Sequence, residues 1–256
     1  MRRSLRYLGK LIAACLLFTS LAVGGCLCTL VLLPLLAAFP GGKERRRRRV
    51  GRIIRGYFRL VMAGLDHAGI MRVEALGLPS REALAGAIIL ANHPSYLDIV
   101  VLLALLPDTA CVVKEAVWNN LVFGAIVRMA GFIPVRDPEQ VLADAGTILK
   151  AGRALVIFPE GTRTRPGRPQ RFHRGAAHLA LRTGAPVLPL AIAWNPPLMV
   201  KGIGWYVIPD PKTTCRVAFG AAIHWQPAAA GPAAPGLHAR ELTRIFEHHY
   251  LEATSR

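Results

Sequence analysis

Ala87-Ile88-Ile89-Leu90-Ala91-Asn92-His93-Pro94-Ser95-Tyr96-Leu97-Asp98 is the stretch on which the fold turns. Five apolar residues end at a polar, Pro-bearing break, and a mostly apolar segment follows over 95–106. That order reads as a strand (Ala87–Ala91) running through a short loop into a helix, with Pro94 suited to a first helical position. Outward from it the pattern repeats. Further candidate strands are Met71–Leu76, Ala110–Val113, Gly131–Val135, Ala154–Phe158, Pro186–Ala193 and Arg216–Ile223, with helices expected at 116–129, 138–151, 173–183 and 237–252. Such alternation argues for an α/β sandwich with a largely parallel sheet, in which functional groups gather at strand ends. Residues 227–236, almost all Ala, Pro and Gly, read as a linker to the last helix. The chain therefore divides into 1–68, 69–226 and 227–256, and it carries no internal repeat.

Composition points to lipid. Charged residues are only 18% of the 256, against roughly a quarter in a freely soluble domain, and mean hydropathy is +0.37. With 53% hydrophobic residues the chain has ample apolar surface for a core, which excludes general disorder. The net charge of +17 is uneven, since residues 1–59 hold 13 Lys/Arg against the single acid Glu44. A nucleic-acid binder spreads its bases over the folded part, so no nucleic-acid partner is expected. Here the bases bracket an apolar segment, the habit of a membrane-surface protein. The five cysteines form no C-x-x-C pair and read as small buried hydrophobes, with no metal site and a reducing compartment expected.

Residues 11–42 contain no charged side chain. As one helix, Leu11 to Phe39 would be roughly 43 Å long, more than the roughly 30 Å of hydrocarbon needs. One tilted span fits, as does a helix broken near Gly24–Gly25 or Pro34 that dips into one leaflet and returns. The run is too long for the core of a cleaved signal peptide, and a second basic block follows at once. Nine bases within 43–59 put the body of the protein on the cytoplasmic side of a cell inner membrane. From Val50 to Leu65 apolar residues recur at helical spacing, with Arg52, Arg55 and Arg59 on another stripe. That helix is expected to lie in the interface with its arginines on lipid phosphates; packing on the domain is the alternative.

Two constellations carry chemistry. With His93 on the loop and Asp98 one turn into the helix, the carboxylate can reach back to Nδ1–H and leave Nε2 free to take a proton; a capping His beside a solvated Asp is the bland alternative. No G-x-S-x-G is present, and Ser95, two residues from His93, has a spacing typical of local capping. A base without its own nucleophile suggests that a substrate hydroxyl attacks. The second constellation is Phe158-Pro159-Glu160-Gly161-Thr162-Arg163, after the apolar strand Ala154–Phe158. Gly161 allows close approach to the backbone, and Thr162 and Arg163 offer donors suited to phosphate. Arg165, Arg168, Arg171, His173 and Arg174 follow, so the loop's field should attract an anion. Gly131-Phe132-Ile133-Pro134-Val135-Arg136 is a third strand ending in Arg.

Together these segments resemble the lysophospholipid acyltransferase family, and within it the bacterial 1-acyl-glycerol-3-phosphate acyltransferases. Asn92-His93-x4-Asp98 is similar to that family's first block, Gly131–Arg136 to its second, Phe158–Arg163 to its third and Val187–Ile192 to its fourth, in order and spacing over about residues 70–225. The resemblance implies a glycerol-phosphate-acyltransferase-like sandwich behind an N-terminal membrane-anchoring helical segment. It implies His93 as general base with Asp98 orienting it, and Arg136, Glu160, Gly161, Thr162 and Arg163 as the substrate-binding set. Glu160, itself an anion, is expected to shape the loop or pair with an arginine. Pro189 is expected near the acyl-thioester site in a structural role. The implied reaction moves an acyl chain from acyl-CoA or acyl-carrier protein to the free hydroxyl of a lysophospholipid, giving phosphatidic acid from 1-acylglycerol-3-phosphate, with no bound cofactor and no metal. The same motifs serve other acceptors, such as a lyso-ornithine lipid, a glycolipid or a specialised metabolite. A non-catalytic membrane lipid-binding protein is the reading from another class.

Overall fold

The computed structural model describes residues 2–38, 40–164, 171–225 and 235–254. Its centre is a sheet of seven strands: β1 (Met71–Leu76), β2 (Ile88–Ala91), β3 (Thr109–Val113), β4 (Ile133–Pro134), β5 (Ala154–Ile157), β6 (Val187–Asn195) and β7 (Thr213–Phe219). They run in the order β1-β7-β6-β2-β5-β3-β4, and every pairing is parallel except β6 with β7. The expected α/β class with a largely parallel sheet is what forms. β2 sits in the middle with all four side chains at 0% exposure. A strand covered on both faces and both edges needs an unbroken apolar run, and Ile88–Ala91 supplies it.

β2 pairs β5 on one side, Leu90 opposite Ile157, and β6 on the other, Leu90 opposite Pro189. The loops that leave β2 and β5 therefore emerge side by side, although 65 residues of chain separate them. Near its C-terminal end the β2–β6 ladder contains an inserted group. The Tyr250 hydroxyl accepts from the Leu190 amide (3.1 Å) and lies against the carbonyls of Leu90 and Leu190. Tyr250 comes from the last helix, α10 below, and its ring is buried against Phe172. Pro189 is buried within β6 and is not among the residues lining the large cavity described below.

At the N-terminus α1 (Arg2–Leu27) passes through a π-helical turn (Cys28–Leu32) into α2 (Leu33–Ala38), and α3 (Lys43–His67) follows. Ser4–Leu36 is the one stretch among the described residues long and apolar enough to cross a membrane, with Leu5, Leu8, Ile12, Leu16, Val23 and Leu27 all exposed. Its other side is held on the body. Ala14 is buried, Leu17 packs where Gly64 has no side chain, and the Ser20 and Tyr57 hydroxyls lie 2.8 Å apart. Tyr7 donates to the Tyr206 carbonyl (2.7 Å), and Thr29 donates to that of Val122 (3.3 Å).

α3 packs on the body too, burying Val50, Val61 and Leu65, and the five-arginine run forms its first turns. Two of its arginines serve the fold. Arg48 bonds Asp108 (3.1 Å) and the Ala151 carbonyl (2.7 Å), and Arg55 donates to the carbonyls of Ala104 (3.2 Å) and Leu105 (3.0 Å). The expectation that Arg55 lies on lipid phosphate is corrected by those bonds: it satisfies the open carbonyl end of α5 (Asp98–Leu105), where orphan acceptors call for a cation. α4 (Arg81–Leu84) lies between β1 and β2 and is capped by the Ser80 hydroxyl.

The remaining helices are α6 (Glu115–Trp118), α7 (Gly124–Met129), α8 (Pro138–Lys150), α9 (Gly175–Thr183) and α10 (Pro235–Thr254). The single helix expected at 116–129 is thus two, because the Asn120 side chain accepts from the amides of Val122 (2.9 Å) and Phe123 (3.0 Å) and diverts the backbone. α8 starts at a cap, Asp137 accepting from Gln140 with Pro138 in the first turn. The helix after His93 begins at Asp98, so Pro94 lies in the loop, and the strand expected at 216–223 runs from Thr213 to Phe219. Of the candidate linker, 227–234 lie outside the described residues; Pro235 and Gly236 already belong to α10.

Tyr250→Phe removes the hydroxyl that occupies the β2–β6 ladder and leaves the Leu190 amide buried without its partner. It should cost about 1–3 kcal/mol and lower Tm by several degrees. Thermal denaturation of the detergent-solubilised protein checks this, and an unchanged Tm would show that the hydroxyl contributes nothing there.

Candidate active site

Asp98 is the first residue of α5, and its side chain has no solvent exposure. Oδ2 accepts from the Ser95 amide (2.7 Å) and lies 2.8 Å from His93 Nδ1; Oδ1 accepts from Trp194 Nε1 (2.7 Å). Burial pushes this carboxyl above the ordinary carboxylate range, while the His93 bond, the Ser95 amide and the Trp194 indole pull the other way. Amide and indole can only donate, so the site is built for an acceptor at both oxygens. His93 then carries its proton on Nδ1 and its lone pair on Nε2. The ring is stacked on Phe158 (centroids 4.3 Å apart, 23° between planes) and lines the cavity. The dyad expected from the five-residue spacing is formed.

The loops after β2 and β5 are joined through His93 itself. Its amide donates to Glu160 Oε1 (3.3 Å) and Thr164 Oγ1 (3.1 Å), its carbonyl accepts from the Thr164 amide (2.7 Å), and the Thr164 hydroxyl donates to Glu160 (2.5 Å). Glu160 therefore holds the histidine's backbone and does not line the cavity; its place in the substrate-binding set is corrected to the loop-shaping role. Among the described residues it pairs with no arginine. One residue earlier in the chain, Asn92 spans to β6, donating to the Ile192 carbonyl (2.9 Å) and accepting from its amide (2.7 Å).

Gly161 has φ +61, the left-handed region that favours glycine, and a Cβ there would meet the His173 ring at 3.2 Å. The group that closes on its backbone is thus a side chain of the same loop. Arg163 lies over the Tyr96 ring (3.6 Å) and donates to the Met199 carbonyl (3.3 Å). Arg136 sits over Trp118 (5.7 Å) with Nε 3.3 Å from Glu115. Arg171, His173 and Arg174 are described; Arg165 and Arg168 lie outside the described residues.

His93, Arg136, Gly161, Thr162 and Arg163 all line one cavity of about 2020 Å³ whose walls are mainly apolar, with residues of α1, α3, β3 and α9 among them. Lys114 and Lys201 line it as well and went unnoticed in the sequence. Lys114 directly follows β3, as Arg136 follows β4, so a cation just past a parallel strand was the signal available. Two side chains near the dyad that could act as nucleophiles are disarmed. Ser95 is buried with its hydroxyl donating to the Leu198 carbonyl (2.9 Å), and burial pushes the Cys111 thiol up to about 12, far from thiolate formation at neutral pH. The arrangement can take a proton from a bound hydroxyl and can hold an anion and a long apolar group.

Residues 72–193 match the acyltransferase family model. Among curated proteins it is similar to a chloroplastic 1-acyl-sn-glycerol-3-phosphate acyltransferase of Brassica napus, 32% identical over 130 residues, which are 49% of this chain and 37% of that protein. It is also similar to the alpha form of that enzyme from Mus musculus, 29% identical over 143 residues, 53% of this chain and 50% of that one. The chain thus spans half the length or less of these curated relatives. In fold it matches the crystal structure of the 1-acyl-sn-glycerophosphate (LPA) acyltransferase PlsC from Thermotoga maritima with a TM-score of 0.68, at 22% identity, over 99% of this chain and 98% of that one.

Trp194→Phe removes one of the donors that hold Asp98 ionised. The carboxyl should move further up, so the acid limb of the pH–rate profile should shift to higher pH, and turnover at neutral pH should fall about tenfold. An unmoved acid limb would show that Asp98 does not need the indole.

Proposed function

We propose that the protein transfers an acyl chain from a thioester donor, acyl-CoA or acyl-carrier protein, to the free hydroxyl of a lysophospholipid, with 1-acylglycerol-3-phosphate as acceptor and phosphatidic acid as product. The observation that carries this reading is the His93–Asp98 dyad opening on an apolar cavity rimmed by Arg136, Thr162, Arg163, Lys114 and Lys201. Nε2 takes the proton of the acceptor hydroxyl as its oxygen attacks the thioester carbonyl, Asp98 stabilises the imidazolium that forms, and the thiolate leaves and is reprotonated. A positioned base is worth about 10²–10⁴ in rate, and holding both substrates in register supplies much of the remainder. The cations offer the acceptor phosphate charge-assisted bonds, and the apolar walls suit its hydrocarbon.

The apolar α1 supports membrane association. We place the protein at the cytoplasmic face of the inner membrane, because the bases of 43–59 follow the apolar segment and a thioester donor is soluble in the cytosol. The nearest alternative keeps the chemistry and changes the acceptor to one without phosphate.

Acyl transfer in detergent micelles, with labelled acyl-CoA and lysophosphatidic acid, tests the reading. His93→Ala should abolish turnover, with a loss of at least about 10². Equal product from both proteins would refute the base assignment. Arg163→Ala should raise KM for the phosphate-bearing acceptor by about tenfold or more while leaving kcat less affected. An unchanged KM would remove Arg163 from the phosphate site.

A further inference from the structure

A second cavity, of about 250 Å³, opens at the pole of the sheet opposite His93, beside the Pro107–Asp108 turn that leads into β3. That volume is roughly eight waters' share of liquid, room for a phosphate group and the first atoms attached to it. Arg45, Arg48, Arg52 and Arg55 line it from α3, and Arg81 lines it from α4. The four on α3 are spaced three, four and three residues apart, which places them on one face of the helix.

Asp108 is the one acid in this wall, and it is engaged by Arg48. Glu44, nearby, is shared among Arg47, Arg48 and the buried Arg153. Glu82, next to Arg81 in the chain, faces solvent. Arg48 and Arg55 are fixed in place by the carbonyls they serve. Arg45, Arg52 and Arg81 are exposed and have no hydrogen-bond or ion-pair partner among the described residues. Burial first, and then the like charges of Arg59 and Arg81, hold the Arg55 guanidinium below its ordinary value, while Asp108 pulls the other way. Guanidinium forks converging on a concavity match the geometry of phosphate oxygens, and low-dielectric walls focus their field there.

We propose that this cavity is a phosphate-binding site separate from the catalytic cavity. Its ligand is a phosphomonoester or phosphodiester anion, presented either by an anionic phospholipid headgroup or by a soluble phosphate. The site is built from α3, α4 and the Pro107–Asp108 turn and does not depend on the acyl-transfer reading.

The test uses the full chain in neutral detergent micelles, with Tm read by tryptophan fluorescence. One arm adds sodium pyrophosphate against sodium chloride of equal ionic strength; the other dopes the micelles with phosphatidylglycerol against phosphatidylcholine. At saturation at least one anion should raise Tm by about 3–5 °C in the wild type. The rise should persist in Arg163→Ala and vanish in Arg45→Gln/Arg52→Gln/Arg81→Gln. That triple variant should keep wild-type turnover and anion-free Tm, since it breaks no ion pair, and Arg52→Gln alone should weaken the rise. A response to pyrophosphate alone identifies a soluble phosphate, and a response to phosphatidylglycerol alone a lipid headgroup. No rise with either anion, an equal rise in the triple variant, or loss of the rise in Arg163→Ala would overturn the proposal.

Discussion

One carboxylate, shut away from water, ties the site together. Asp98 receives an indole N–H from β6 and an amide N–H from the loop after β2, and it faces His93 Nδ1 across 2.8 Å. A buried anion is costly unless its oxygens are filled by donors, and here they come from two distant parts of the chain, the loop after β2 and strand β6. The consequence runs both ways. The carboxylate fixes the imidazole's tautomer and direction, and its need for donors fixes the β6 indole against the β2 loop. The same β6 carries the antiparallel junction with β7, so the strand that serves the dyad is also the one at which the sheet changes direction.

The backbone of His93 is as tightly held as its ring. Parallel pairing of β2 with β5 delivers two loops to the same place, and the Glu160–Thr164 pair closes on the histidine's amide and carbonyl. Asn92 then secures the other flank on β6. An imidazole positioned through both its main chain and its ring has little freedom left to lose when a ligand arrives, which is the physical content of preorganisation. It also explains why an anionic residue can stand inside a loop otherwise rich in phosphate donors: Glu160 is turned away from the cavity and spends its charge on the scaffold.

What the sequence makes legible here is local. The sheet class follows from alternating apolar runs, and His93 with Asp98 is readable because five residues suffice to bring them together. Partners set by the fold were hidden. Trp194 lies 96 residues beyond the carboxylate it serves, and Thr164 lies 71 beyond the amide it accepts from, so spacing carries no trace of either contact. Asn120 broke a helix that periodicity alone would continue, because its side chain competes for the backbone. Arg55 was misread for a related reason. A cationic stripe looks the same in sequence whether it meets lipid or the carbonyl end of a neighbouring helix.

The N-terminal helix has a second role that its apolar composition conceals. Leu21, Leu27, Cys28, Val31 and Leu35 form part of the wall of the large cavity, together with Tyr57 of α3. The stretch long and apolar enough to cross a membrane and one wall of the large cavity are therefore one piece of chain. Trimming residues before α3 to obtain a soluble enzyme would open the cavity along one side, so the part that looks like a tether is better regarded as a panel of the reaction chamber.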